Sequence, residues 1–87
     1  MHETSLIPDL LEKITGIARE NKARRVIAVE LEIGALAGFS PEHLREHFEE
    51  AAKGTVAEGA ELRSTVNEDP LSPEAGSVRL MAVEVDA

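Results

Sequence analysis

Three histidines among seventeen carboxylates are the residues of this 87-residue chain that could do chemistry. His2 stands one peptide bond from the α-amine of Met1, with Glu3 following. The amine, the His2 amide nitrogen and the near imidazole nitrogen can close two small chelate rings on one metal ion. A deprotonated amide suits a strongly polarising ion with a planar field, Ni(II) or Cu(II) rather than zinc or magnesium. The bulky second residue also favours retention of Met1, which keeps the register of the chelate. A Met-His start is common, and on its own the tripeptide reads more readily as a frayed, unoccupied terminus. His43 and His47 form a second pair, four residues apart and so one turn apart on a helix, which is metal-ligand spacing. No Glu lies between them at the zincin position and no third ligand is evident, so a solvated rim pair is the plainer reading. Glu30 and Glu32 alternate along an apolar stretch, which places them on the wet face of a strand.

Composition narrows the classes of function. The formal net charge of −8 repels polyanions, and two Phe with no Trp or Tyr supply no stacking platform, so nucleic acid is not an expected partner. The acidic surface suits metal cations or a basic protein. Absence of Cys removes disulfides, thiolate metal sites and a Cys nucleophile. No apolar run reaches membrane-spanning length, and the first residues lack the layout of a signal peptide, so the expectation is a cytoplasmic protein without a membrane partner. Catalysis is not expected either. Gly34 and Gly38 flank apolar residues with no following Lys-Ser or Lys-Thr, and no Ser-His-Asp arrangement is spaced for it.

The elements that must position these residues follow from periodicity. Thr4 to Asn21 is helical, with Ile7, Leu10, Leu11, Ile14, Ile17 and Ala18 on one face. Thr4 or Ser5 is the expected N-cap, Pro8 falls in the first turn, and Gly16 is expected where another element comes close. Arg24 to Ile33 reads as a strand with Ile27, Val29, Leu31 and Ile33 inward. Ser40-Pro41 starts a second helix that buries Leu44, Phe48, Ala51 and Ala52 and ends at Gly54. Residues 55–60 read as a connector and Glu61–Val66 as a short strand with Leu62, Ser64 and Val66 on one side. In the final strand Val78 and Leu80 share one phase and Val83 and Val85 the other, which predicts a bulge near Met81-Ala82. The result is an α+β chain, α-β-α-β-β, with two helices on one face of a three-stranded sheet. The short 67–76 loop predicts that the last two strands are antiparallel neighbours.

Several stretches in this order carry a resemblance. Met1-His2-Glu3 with Ser5-Leu6, Leu31-Glu32-Ile33-Gly34, Pro41-Glu42, Leu44-Arg45, Phe48-Glu49, Lys53-Gly54-Thr55, Ala57-Glu58-Gly59-Ala60-Glu61-Leu62 and Val83-Glu84-Val85 are together similar to the HypA family of nickel-incorporation proteins. The resemblance implies a single HypA-like domain over residues 1–87, acting as a metallochaperone in NiFe hydrogenase maturation. It implies transient Ni(II) on His2, with Met1 and Glu3 contributing, while His43 and His47 remain auxiliary candidates by their spacing alone, His47 standing where the family usually has a small residue. It implies a HypB-like GTPase and the hydrogenase large subunit as partners, and its edge strands are compatible with a homodimer. Two departures stand out. The family's zinc lobe, with two Cys-x-x-Cys pairs, is replaced by the 67–76 loop, so no structural zinc is expected. Ser40 occupies a position that is often acidic. An adaptor that docks on a maturation partner without carrying metal is therefore the competing expectation.

Overall fold

The computed structural model describes residues 3–86. The chain runs α1 (Glu3–Glu20), β1 (Arg25–Gly34), α2 (Pro41–Ala52), β2 (Glu61–Asn67) and β3 (Val78–Asp86). Both helices pack against each other and against the sheet, α1 over β1 and β3, α2 over β2. This is the expected α+β arrangement, with the helices on one face.

The sheet order is β2-β1-β3. β1 pairs with β2 in parallel and with β3 antiparallel. The expected β2–β3 hairpin is therefore absent, and the two strands lie on opposite edges. The reason lies in β1, whose Val26, Val29, Leu31 and Ile33 are each at most 2% exposed and fill the centre of the core. The β1-α2-β2 crossover occupies one side of that strand and leaves the other for β3. Crossing one strand requires only about 10 Å, well within the reach of the connecting loop. The loop passes over the end of β1, where the Gly34 amide donates to the Ser77 carbonyl (2.8 Å) and the Leu36 amide to the Ala75 carbonyl (2.7 Å). A Cβ on Gly34 would collide with the backbone oxygens of Glu74 and Ala75.

Two bulges set the phases. Val26 pairs with Val85 and Ala28 with Glu84, so Ile27 is an extra residue and turns outward, 38% exposed. The expectation of Ile27 inside fails for that reason, and Val26 takes its place. The second irregularity skips Met81 between Ala82 and Leu80, as the broken alternation of β3 predicts. Val78, Leu80, Val83 and Val85 thereby all pack against the core.

In α1 the buried face is Leu6, Ile7, Leu10, Ile14 and Ala18, with Leu11 partly buried. The helix already includes Thr4 and Ser5, so neither is the N-cap, and Pro8 lies inside it instead of in its first turn. Burial of Leu6 and Ile7 anchors the turn ahead of the proline, which offsets the lost backbone donor. Gly16 has open space around it, so no neighbour demands a glycine there. α2 starts as expected: the Ser40 hydroxyl accepts from the His43 amide at 3.1 Å, with Pro41 next. Leu44, Phe48 and Ala52 are buried and Ala51 is exposed, one position beyond the apolar stripe.

Residues 54–60 are more than a connector. The Thr55 hydroxyl donates to the Ala52 carbonyl (2.7 Å) and accepts from the Ala57 amide (3.1 Å). The Glu58 carboxylate accepts from the Gly54 amide, and the Val56 carbonyl accepts from the Val26 amide at the start of β1. Ala57 is fully buried and Ala60 nearly so. Gly54, at φ +79°, turns the chain out of α2 in a conformation that other residues resist.

Candidate metal centre

Met1 and His2 lie outside the described residues, and Glu3 is described only as the first residue of α1. The amino-terminal chelate therefore has no described geometry. What is described is the surface that α1 presents just after it. Leu6 and Ile7 from α1, Phe39 from the β1–α2 loop and His43, Leu44 and His47 from α2 line one crevice of about 10 Å³. That is room for a single water or ion and not for an organic ligand.

The two histidines of α2 meet at the rim of this crevice. Their ring centroids are 4.4 Å apart at an interplanar angle of 62°, an edge-to-face pair. Both are exposed, one turn apart on the helix, while the neighbouring Leu44 and Phe48 point inward. The spacing thus does what it implies, and both imidazoles reach the same side of α2. Among the described residues, no group of three or more His, Asp or Glu is arranged to hold a metal ion. The pair is a two-donor set that would complete its shell with water or with residues outside those described. The sequence did not reveal the apolar wall of Leu6, Ile7 and Phe39. Leu6, four residues ahead of Leu10, continues the helical stripe one turn before the Ile7 at which the reading began, and Phe39 belongs to a loop without periodicity.

The carboxylates of β1 do not join this crevice. Glu32 is paired with Arg79 of β3 at 3.2 Å on the open face of the sheet. Beside it Arg63 of β2 bonds Glu61 at 3.0 Å and approaches Glu84 at 3.9 Å. The hydrogen bond and charge of Glu61 hold the Arg63 guanidinium above its usual value, with smaller contributions from Glu84 and Glu30. Such exposed pairs contribute little each, and they neutralise the acidic face instead of building a site. The wet-face reading of Glu30 and Glu32 therefore holds. A thiolate zinc site is not available to this chain, which has no cysteine.

Comparison with known proteins fits a metallochaperone class. The family described as "Hydrogenase/urease nickel incorporation, metallochaperone, hypA" matches residues 1–72. Hydrogenase maturation factor HypA of Chlorobium limicola is 50% identical over 62 residues, covering 71% of this chain and 53% of that protein. The corresponding factor of Prosthecochloris aestuarii is 44% identical over 72 residues, covering 83% and 61%. The solution structure of the Ni metallochaperone HypA from Helicobacter pylori superimposes with a TM-score of 0.81 at 19% identity, covering 100% of this chain and 99% of that one. At that identity the likeness speaks for the fold alone. The chain belongs to the HypA family, and it spans about half to three-fifths of the length of the curated relatives it matches.

Proposed function

We propose that this chain is a nickel-binding maturation protein that carries Ni(II) at Met1-His2-Glu3 and passes it on during assembly of a NiFe hydrogenase. The observation that carries this reading is the family match, which begins at residue 1 and so includes the tripeptide. With a free amine at Met1, the amine, the His2 amide and the His2 imidazole would form a planar nitrogen set, with the Glu3 carboxylate as a candidate further donor. Such a site holds nickel without a thiolate, which agrees with the composition. It can give the ion up on protonation of its nitrogens. A HypB-like GTPase and the hydrogenase large subunit are the partners that the family resemblance points to, and the 67–76 loop stands where the family carries its zinc lobe.

Calorimetric titration with Ni(II) tests the site. The native chain is expected to bind, while His2→Ala and a chain with residues added ahead of Met1 lose the amino-terminal component. Equal binding by all three sinks the tripeptide. The second reading, an adaptor that docks without metal, draws on the outer edges of β2 and β3, which have no strand neighbour among the described residues and would suit strand addition. Capture of the HypB-like GTPase that survives His2→Ala together with a chelator would favour it.

A further inference from the structure

We propose that His43 and His47 form a second transition-metal site, a two-imidazole clip on α2 that takes Ni(II) independently of the amino-terminal tripeptide. Residues four apart on a helix face the same way, and here the rings already meet at a centroid distance of 4.4 Å. In such a clip one ring nitrogen of each would stand about 2.1 Å from a common ion, the usual imidazole–metal distance. Imidazole pairs suit Ni(II), Cu(II) and Zn(II), while magnesium and calcium require oxygen donors.

The surroundings favour a cation. α2 carries Glu42, Glu46, Glu49 and Glu50 against the single Arg45, and only Glu50 is neutralised by a described partner, Lys53 at 3.0 Å. That field raises the local concentration of divalent ions. On the opposite side Leu6, Ile7 and Phe39 limit the crevice to about the volume of one water, which excludes chelating small molecules and leaves the outward positions of the ion open. Neither ring is part of the core, since Leu44, Phe48 and Ala52 supply the buried face of the helix. An ion held by two nitrogens and several waters exchanges readily.

The two sites differ in spectroscopy as well as in residues. Planar Ni(II) bound through a deprotonated amide is diamagnetic, whereas Ni(II) on two imidazoles with water is octahedral and paramagnetic. The experiment is a titration of the full chain with Ni(II), followed by calorimetry and by proton–nitrogen NMR, on the native chain, His2→Ala, His47→Gln and the double variant. Circular dichroism confirms that each variant folds. The clip predicts two ions per native chain and one in His2→Ala, with broadening centred on His43 and His47. It predicts one in His47→Gln, without that broadening, and none in the double variant. Unchanged binding in His2→Ala with complete loss in His47→Gln would keep the clip and overturn the amino-terminal reading. The clip is overturned if His2→Ala binds nothing, if His47→Gln leaves stoichiometry and broadening intact, or if the native chain takes a single ion that either substitution abolishes. The last result would mean one shared site.

Discussion

The chain resembles its family most densely at residues 53–62, and its histidine pair lies elsewhere, on the outer rim of α2. In the 54–60 segment nearly every residue is tied into the fold. Thr55 bonds backbone on both sides, Glu58 bonds the Gly54 amide, and Ala57 and Ala60 fill the core. At the rim His43 and His47 are exposed, and the core beneath them is made by other residues. A dense match can therefore mark a demanding turn, while candidate chemistry sits on side chains that the fold tolerates without requiring. Mutations should separate the two regions by what they change, stability in one and metal binding in the other.

The largest effect is expected at Gly34, which shares the structural character of the 54–60 segment. Any Cβ there meets the backbone oxygens of Glu74 and Ala75, which cannot rotate away as a side chain would. Gly34→Ala should lose roughly 3 kcal/mol, the upper range for overpacking, and displace the β2–β3 crossing. Urea unfolding measures it, and a loss below about 1 kcal/mol would show that the crossing is loosely held. Next is Thr55→Ala, which removes a donor and an acceptor from two bonds at the end of α2. About 1–2 kcal/mol is expected. His47→Gln should fall within about 0.5 kcal/mol of the native chain, as surface substitutions do. A deficit comparable to that of Thr55→Ala would erase the distinction between the regions.

Much of this division is legible in the sequence, and the failures have physical causes. Helix faces, the Ser40 cap and the bulge at Met81 follow from local periodicity and local hydrogen bonding. Strand order does not. The alternation of β2 and β3 is compatible with pairing on either side, and only the burial of β1 along its length makes it the central strand. The phase of β1 is hidden at Ile27 because Val26 and Ile27 are both apolar, so the pattern contains no sign of the extra residue. The spacing of His43 and His47 is legible, and so is Leu6 by its place four residues before Leu10, but Phe39 reaches their wall through tertiary packing alone. Gly16 is the reverse case, a residue type that suggests close approach yet stands in open space.

The smallest expected effect tests the boundary between the 54–60 segment and the open sheet face. Glu61 opens β2, and the hydrogen bond and charge of Arg63 hold its carboxyl below the ordinary value of 4.5. A carboxyl with a lowered folded value stabilises the chain above its unfolded value, and that contribution fades as pH falls from about 4.5 through the lowered one. Both groups are exposed and screened, so the contribution is slight at physiological salt and grows only as salt is removed. Thermal unfolding of the native chain and of Glu61→Gln, compared from pH 7 to pH 3, should show a small native advantage at neutral pH that closes under acid. A difference that persists unchanged at pH 3 would show that the Arg63 ion pair is not its source, because Glu and Gln share one stem and the protonated carboxyl and the amide are then nearly equivalent toward Arg63.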